Sequence, residues 1–185
     1  MQMETDPGFV RRASGLIVPE TSNQLLGLGK YVGRIIRAGE VIDEFECKNL
    51  VVNQGLNYLL GAALGGQSVI TTWYLGLFTG NYTVVATDTA ATIAANATEA
   101  TAYTAGVRQT WTSAAPSSQS ITNSASQASF TFNASITVYG AFLVSSSTIS
   151  GTSGTLFSGA QFAASKSVVS SDILQLTYTY TAASA

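Results

Sequence analysis

The sequence predicts an all-β fold, an antiparallel β-sandwich with one short helix and an extended N-terminal arm. Apolar and polar residues alternate over 128–145, and a period of two is typical of strands with one solvent-exposed face. Short apolar runs separated by Gly, Ser, Thr and Asn recur towards the C-terminus, the pattern of a sandwich. With 185 residues, the chain can bury a core without disulfides or metals.

The first 30 residues show no clear period, because prolines and glycines interrupt each short apolar run. We expect an arm over 1–30 and a β-sandwich domain over 31–185. The arm is either a disordered terminus or a segment that becomes ordered on a neighbouring subunit. In the second case Arg11, Arg12 and Lys30 are the candidate contact residues.

A β-hairpin is predicted from two apolar runs at 32–37 and 41–47, joined by a turn in which Gly39 can adopt positive φ. Arginines on the first strand can pair with glutamates on the second, although such solvated pairs contribute little. The residues expected to share one face of the second strand are Val41, Phe45 and Cys47.

One helix is predicted after Asn53, a candidate N-cap. Gly65 and Gly66 supply its end. We expect about three turns that bury an apolar stripe and plug one end of the sheets. The stripe has helical spacing and consists of Leu56, Leu59, Leu60, Ala63 and Leu64.

Further strands follow the helix. The 128–145 run is longer than a usual strand, so a bend or hairpin is expected near 133–134 or 139–140. The Ala- and Thr-rich segment 83–102 is weakly patterned, and we expect a long surface loop there. The predicted strands are 70–78, 107–111, 128–145, 155–163 and 173–181, the last with Leu174, Leu176, Tyr178 and Tyr180 facing the core.

Charge is scarce and unevenly placed. Charged residues make up 10% of the chain, against roughly a quarter in a usual soluble domain. Residues 1–50 carry 13 of the 18, and 51–185 carry only five. A surface of hydroxyls and amides loses little when it is covered, which favours assembly with other subunits. The alternative is a Ser- and Thr-rich β domain with no special partner.

Catalytic and cofactor chemistry find little support. The chain has no histidine, which excludes Ser-His-Asp, Cys-His and His-ligated metal sites. Asp88, Glu99 and Asp172 each fall in a predicted loop, where we expect solvated carboxylates. We therefore predict no catalytic residue, no cofactor and no metal ligand.

Charge and hydropathy limit the kinds of binding partner that the sequence predicts. The net charge of −2 gives no general attraction to nucleic acid, and no run of 18 apolar residues predicts a membrane span. We expect no secretory signal peptide. The aromatics Tyr82, Tyr103 and Trp111 are candidates for stacking on a sugar, although core packing is the competing interpretation for Trp111.

Four segments resemble virion structural proteins of tailed bacteriophages, most closely the capsid decoration, or cement, proteins. Two of them are Lys-Asn-Leu-Val-Val-Asn-Gln-Gly-Leu-Asn-Tyr-Leu-Leu at 48–60 and Trp-Tyr-Leu-Gly-Leu-Phe-Thr-Gly-Asn-Tyr at 73–82. The others lie at 136–143 and 168–178. The resemblance covers about 48–185 and implies a jelly-roll-like sandwich, often a homotrimer, on the outside of the capsid.

The resemblance also implies a function. The chain is expected to be a non-enzymatic structural protein that binds the major capsid protein and bridges capsid subunits. It would be made in the host bacterial cytoplasm. The alternative is a head or tail fibre, or tail accessory component, that binds host-surface glycans through exposed aromatics. A polysaccharide-degrading enzyme, which would need Asp88 or Asp172, is the third hypothesis.

Overall fold

The computed structural model describes residues 9–11, 17–19 and 25–184, with side chains described over 27–183. These residues form twelve strands and two helices, and their strand pairings are antiparallel. The elements are β1 (Phe9–Arg11), β2 (Ile17–Pro19), β3 (Leu25–Arg37), β4 (Glu40–Lys48), β5 (Leu50–Val51), α1 (Asn53–Ala63), β6 (Tyr74–Phe78), α2 (Ala90–Asn96), β7 (Gln109–Thr110), β8 (Ser120–Thr122), β9 (Ala128–Thr131), β10 (Ile136–Val144), β11 (Leu156–Val168) and β12 (Ile173–Ser184).

Two sheets form the body of the fold. Sheet I has the order β4-β3-β12-β8, with β9 also paired to β12, and sheet II has the order β5-β11-β10-β6-β7. Strands β1 and β2 pair only with each other among the described residues. The all-β antiparallel sandwich predicted from the sequence is confirmed, whereas the more specific jelly-roll-like topology is not.

The main core lies between the two sheets. Leu174, Leu176 and Tyr178 of β12 are buried, which confirms the face predicted from their alternation. The Tyr178 ring lies 4.6 Å from that of Tyr31 on the neighbouring strand β3. Sheet II contributes Leu75 and Leu77 from β6, Val138 and Leu143 from β10, and Phe157 and Phe162 from β11.

The predicted hairpin is present as β3 and β4. Its two turn residues, Ala38 and Gly39, have φ of 51° and 88°, the positive values that a tight two-residue hairpin requires. Asp43, Phe45 and Cys47 face inwards, whereas Val41 is exposed.

A strand of the sandwich begins before residue 30, where the boundary between arm and domain was predicted. Strand β3 starts at Leu25 and pairs continuously with β12, with Leu25 opposite Ser184. The glycines that suggested a loose loop make room for neighbouring side chains, because a Cβ at Gly27 would collide with Tyr180. The rest of the arm lies mostly outside the described residues.

The predicted surface loop at 83–102 is also wrong. It contains α2, which the side chain of Thr89 caps by accepting a hydrogen bond from the Thr92 amide. The Thr92 hydroxyl accepts one from the Thr89 amide in return, forming a capping box. Ile93 of α2 belongs to a second core on the outer face of sheet II, together with Val52, Phe78, Val84, Ala90, Ala97, Phe142, Val144 and Leu156.

The long alternating run divides as expected. It forms β9 and β10, separated at residues 132–135, and the two strands belong to different sheets. The bend near 133–134 is therefore confirmed. Within β10, the register with β11 changes between Val138 and Gly140, where the extra residues lie on β11.

Candidate interaction surface

The charged side chains of the body fall into two groups. The β3–β4 hairpin (25–48) carries eight of them, and all except the half-buried Asp43 are exposed. Residues 51–184 carry five, and none of the five is exposed. The five are Asp88, Glu99, Arg108, Lys166 and Asp172.

Glu99 and Arg108 form a buried ion pair at the edge of the core. Arg108 donates from Nε and Nη2 to the two carboxylate oxygens of Glu99, each at 2.8 Å. It also donates to the carbonyl oxygens of Ser146 and Gly151 at 3.0 and 3.2 Å, and the Ser150 amide donates to Glu99 at 2.7 Å. The pair thereby joins the segment 99–108 to the loop after β10.

Asp88 and Asp172 are buried and each accepts several hydrogen bonds. Asp88 accepts from the Tyr82 hydroxyl at 2.9 Å, from the Val85 amide at 2.8 Å and from the Thr92 hydroxyl at 3.0 Å. These bonds fix the turn that leads into α2.

Asp172 accepts two hydrogen bonds from the Arg37 guanidinium, at 2.8 and 2.7 Å. The Val169 amide donates a third at 2.9 Å. The bonds from Arg37, which outweigh the effect of burial, hold the pKa of Asp172 below its usual value. Asp172 thereby ties the β11–β12 turn to the end of β3.

The sequence-based expectation that Asp88, Glu99 and Asp172 are solvated loop carboxylates is therefore wrong. Each carboxylate is buried, and each accepts a hydrogen bond from the backbone amide of a loop residue. A buried carboxylate needs such partners, because an isolated charge in the interior is very costly. From these contacts, all three carboxylates have a structural role, which is to hold loops in place.

The exposed face of the hairpin carries ordinary surface ion pairs. Lys30 donates to Glu46 at 3.1 Å and Arg34 to Glu44 at 2.7 Å. Of the three predicted arm contacts, Lys30 is thus an exposed residue of β3, whereas the side chains of Arg11 and Arg12 lie outside the described residues.

Lys166 connects the two groups of charges. Its ammonium donates to Asp43 of β4 at 2.9 Å and lies 4.5 Å from the centre of the Phe45 ring. A cation over an aromatic face is attracted by the ring quadrupole. The one lysine of residues 51–185 is therefore used to hold β11 against β4.

None of the three aromatic residues predicted to be exposed is fully exposed to solvent. Tyr103 is buried, so its predicted exposure is wrong. Tyr82 is half-buried and its hydroxyl donates to Asp88. Trp111 is also half-buried, and its Nε1 donates to the Tyr178 carbonyl at 3.2 Å. Its contact with the core agrees with the competing interpretation made from the sequence.

Cys47 shows no sign of an activated thiol. Burial is the main cause that raises its pKa to about 11, which leaves it protonated at neutral pH. Among the described residues, no group of three or more His, Cys, Asp or Glu side chains could hold a metal ion. The helices in the described part of the chain are too short to cross a membrane.

Helix α1 exists as predicted, but most of its predicted apolar stripe is turned outwards. Gly55 and Tyr58 are buried and Leu59 is half-buried, whereas Leu56 and Leu60 are exposed. A Cβ at Gly55 would overlap the carbonyl oxygen of Phe157, so the glycine allows the helix backbone to approach β11 closely.

The start of α1 also differs from the prediction. The N-cap residue is Val52, without a side-chain cap, and Asn53 is the first residue of the helix. The Asn53 amide donates instead to the Ala86 carbonyl at 2.8 Å. The predicted glycine stop is confirmed, because the helix ends at Ala63 and Gly66 has a φ of 68°.

Comparison with known proteins adds no identification. No protein-family model and no curated protein matches the chain. The fold and the surface define an all-β antiparallel sandwich whose exposed charges, among the described side chains, lie on the β3–β4 hairpin.

Proposed function

We propose that the chain is a structural protein of a tailed-phage virion that binds the outside of the capsid and holds neighbouring capsid subunits together. The partner would be the major capsid protein, and the homotrimer implied by the resemblance is part of the proposal. The resemblance of 48–60, 73–82, 136–143 and 168–178 to decoration proteins supports it. The protein would act without catalysis.

The observation that carries this proposal is the absence of exposed charge on residues 51–184. Covering an ion removes its hydration, whereas covering hydroxyls, amides and apolar groups costs much less. A protein that is meant to be covered by neighbours therefore benefits from such a surface. Many copies on one shell act together, so each contact can be weak and the shell still gains stability.

The alternative, a fibre or tail component that binds glycans, has less support. It needs aromatic rings that a sugar can reach. Of its three candidates, Tyr103 is buried and the polar atoms of Tyr82 and Trp111 are engaged within the fold. A glycan array probed with the purified chain and with Trp111→Ala would test it directly.

The capsid proposal is tested with heads of the phage that encodes this chain. Expanded heads lacking the protein are mixed with the purified chain, and co-sedimentation measures binding. We expect saturable binding to heads and greater resistance of the heads to heat. Binding to isolated tails and not to heads would refute the proposal.

Matched substitutions test whether the charge-free surface makes the contact. Val107 and Val41 are equally exposed, at 48% each, but Val41 lies on the charged hairpin. We expect Val41→Lys to bind heads normally. At least one variant among Val107→Lys, Val85→Lys and Val169→Lys is expected to weaken binding roughly tenfold or more. Normal binding by all three would contradict the proposed contact surface.

A further inference from the structure

A cavity of about 130 Å³ lies between the two sheets, next to helix α1. Sheet I lines it with Tyr178 and Tyr180, sheet II with Leu143 and Phe157, and α1 with Tyr58. Protein interiors hold few voids larger than a water molecule, so a space of this volume is a candidate binding site. An apolar cavity of about 150 Å³ in another protein is large enough to bind benzene.

Aromatic rings that pack edge-to-face form the walls of this cavity. The ring centre of Trp73 lies 5.2 Å from that of Tyr58 and 5.5 Å from that of Phe157, with 71° between the ring planes in both pairs. The rings of Phe157 and Tyr180 meet at 86°, with their centres 5.3 Å apart. Because these rings hold each other in place, the cavity is formed before any ligand arrives, and binding does not have to order its walls.

Several polar atoms of the lining residues are already hydrogen-bonded within the fold. Trp111 donates from Nε1 to the Tyr178 carbonyl at 3.2 Å, and the Tyr178 hydroxyl accepts from Asn49 at 2.8 Å. The Tyr58 hydroxyl accepts from the Ile70 amide at 2.8 Å. The cavity wall is almost wholly carbon, whereas an enclosed water molecule needs two to four polar partners. The space therefore suits an apolar ligand better than water.

We propose that this cavity, which we call the ring pocket, binds one small uncharged molecule with a single aromatic ring, of roughly six to eight non-hydrogen atoms. The bound ring would make further edge-to-face contacts with the walls, and these contacts add to the gain from burying its apolar surface. Trp73, Trp111 and Ile121 of the lining are half-buried, so the ring pocket lies near the surface and a ligand can enter. This proposal goes beyond capsid binding and does not depend on it.

The charge of the lining decides between an uncharged ring and a cation. Aromatic faces also attract ammonium groups, so a ring-walled pocket could in principle hold a quaternary ammonium ion. The residues that line the ring pocket include no carboxylate. Burying a cation without a counter-charge loses more hydration free energy than ring faces return. The uncharged ligand is therefore favoured.

Tryptophan fluorescence of the purified full-length chain tests the proposal. The chain has two tryptophans, and both Trp73 and Trp111 line the ring pocket, so the signal reports on this site. Titration with benzene should give a saturable change with a dissociation constant on the order of a millimolar or tighter. Titration with tetramethylammonium should leave the fluorescence unchanged.

A cavity-filling substitution and its control test whether the ring pocket is the site. Ile121→Phe places a larger side chain in the pocket, and we expect it to weaken benzene binding roughly tenfold or more. Ile136→Phe is the matched control, because Ile136 is also a half-buried strand residue against the core but does not line the pocket. It should bind benzene as the wild type does, and circular dichroism verifies that both variants fold.

Nuclear Overhauser effects locate the ligand in the wild type without relying on a variant. We expect them between the benzene protons and the methyl groups of Ile121 and Leu143, which line the ring pocket. No saturable response to benzene, no Overhauser effect to these methyl groups, or binding of tetramethylammonium in place of benzene would overturn the proposal. None of these results would bear on binding to heads, so the ring pocket and the proposed function can fail separately.

Discussion

The β3–β4 hairpin and the rest of the sandwich treat charge in opposite ways. On the hairpin, Lys30–Glu46 and Arg34–Glu44 are exposed pairs between neighbouring strands. In residues 51–184, Glu99–Arg108 is fully buried and binds two loops together. Charge on the hairpin keeps one face hydrated, whereas charge in the remainder organises loops and leaves the surface neutral.

The largest expected effect comes from breaking the buried pair. Arg108→Met leaves Glu99 buried without its cation, and we expect the free energy of unfolding to fall by about 3–5 kcal/mol. Urea denaturation measures the change. Adding Glu99→Leu should recover part of the loss, because the double variant leaves no unpaired charge. A loss below about 1 kcal/mol for Arg108→Met would mean that solvent reaches the pair.

A second prediction concerns Asp172, where the hairpin and the remainder meet. Asp172→Asn weakens the bonds from Arg37 and Val169 and should lower the free energy of unfolding by about 1–3 kcal/mol at pH 7. The pKa of Asp172 is lowered in the folded chain, so the carboxylate contributes stability above the unfolded value of about 4. That contribution is lost as pH falls through the folded-state pKa.

The pH dependence gives the sharper measurement. The difference in stability between wild type and Asp172→Asn should be largest near neutral pH and should shrink as the solution is acidified below about pH 4. Glu44→Gln, on the exposed pair of the hairpin, serves as the control and should differ little from wild type at neutral pH. If the stability difference between wild type and Asp172→Asn instead grew on acidification, the predicted direction of the pH dependence would be wrong.

A third prediction tests what turns the leucines of α1 outwards. Gly55→Ala gains helix propensity of about 1 kcal/mol but forces a Cβ against the Phe157 carbonyl. We expect a net loss of about 1–2 kcal/mol, since backbone cannot move aside as a side chain can. Gly61→Ala is the control, because its nearest neighbour is the end of the Gln67 side chain. It should be neutral or stabilising in thermal unfolding.

The smallest effect is expected on the hairpin. Arg34→Met removes the exposed pair with Glu44, and we expect a change within about 0.5 kcal/mol. The same chemical change at Arg108 is expected to cost several times more. If urea denaturation showed similar losses of unfolding free energy for Arg34→Met and Arg108→Met, the two regions would not differ in how much their ion pairs stabilise the fold.

The local sequence pattern predicted the buried residues correctly where one face of a strand meets the core. The alternation in β12 placed Leu174, Leu176 and Tyr178 inwards, and the structure agrees. The short turn after β3, with positive φ at Gly39, could likewise be recognised, because its backbone requirement is local. These features depend on the period of a strand and on the stereochemistry of a turn.

Features that depend on distant partners could not be predicted. Glu99 can be buried because Arg108 and the Ser150 amide, which comes from another loop, donate hydrogen bonds to it. The segment 83–102 looked like a loop because Ile93 finds its core only on the outer face of sheet II. Thr89, a favoured N-cap residue, was a signal available in the sequence and was missed.

The sequence by itself determined the antiparallel sandwich and the scarcity of charge after residue 50, since both follow from which side chains are present and in what order. Only the tertiary structure decided which face of α1 is buried, because that depends on the partners that β11 and Trp73 bring to the helix. Gly55 lets the helix backbone approach the Phe157 carbonyl of β11, and the Tyr58 ring packs edge-to-face against Trp73. This packing between residues far apart in the chain, which no local pattern records, leaves Leu56 and Leu60 exposed.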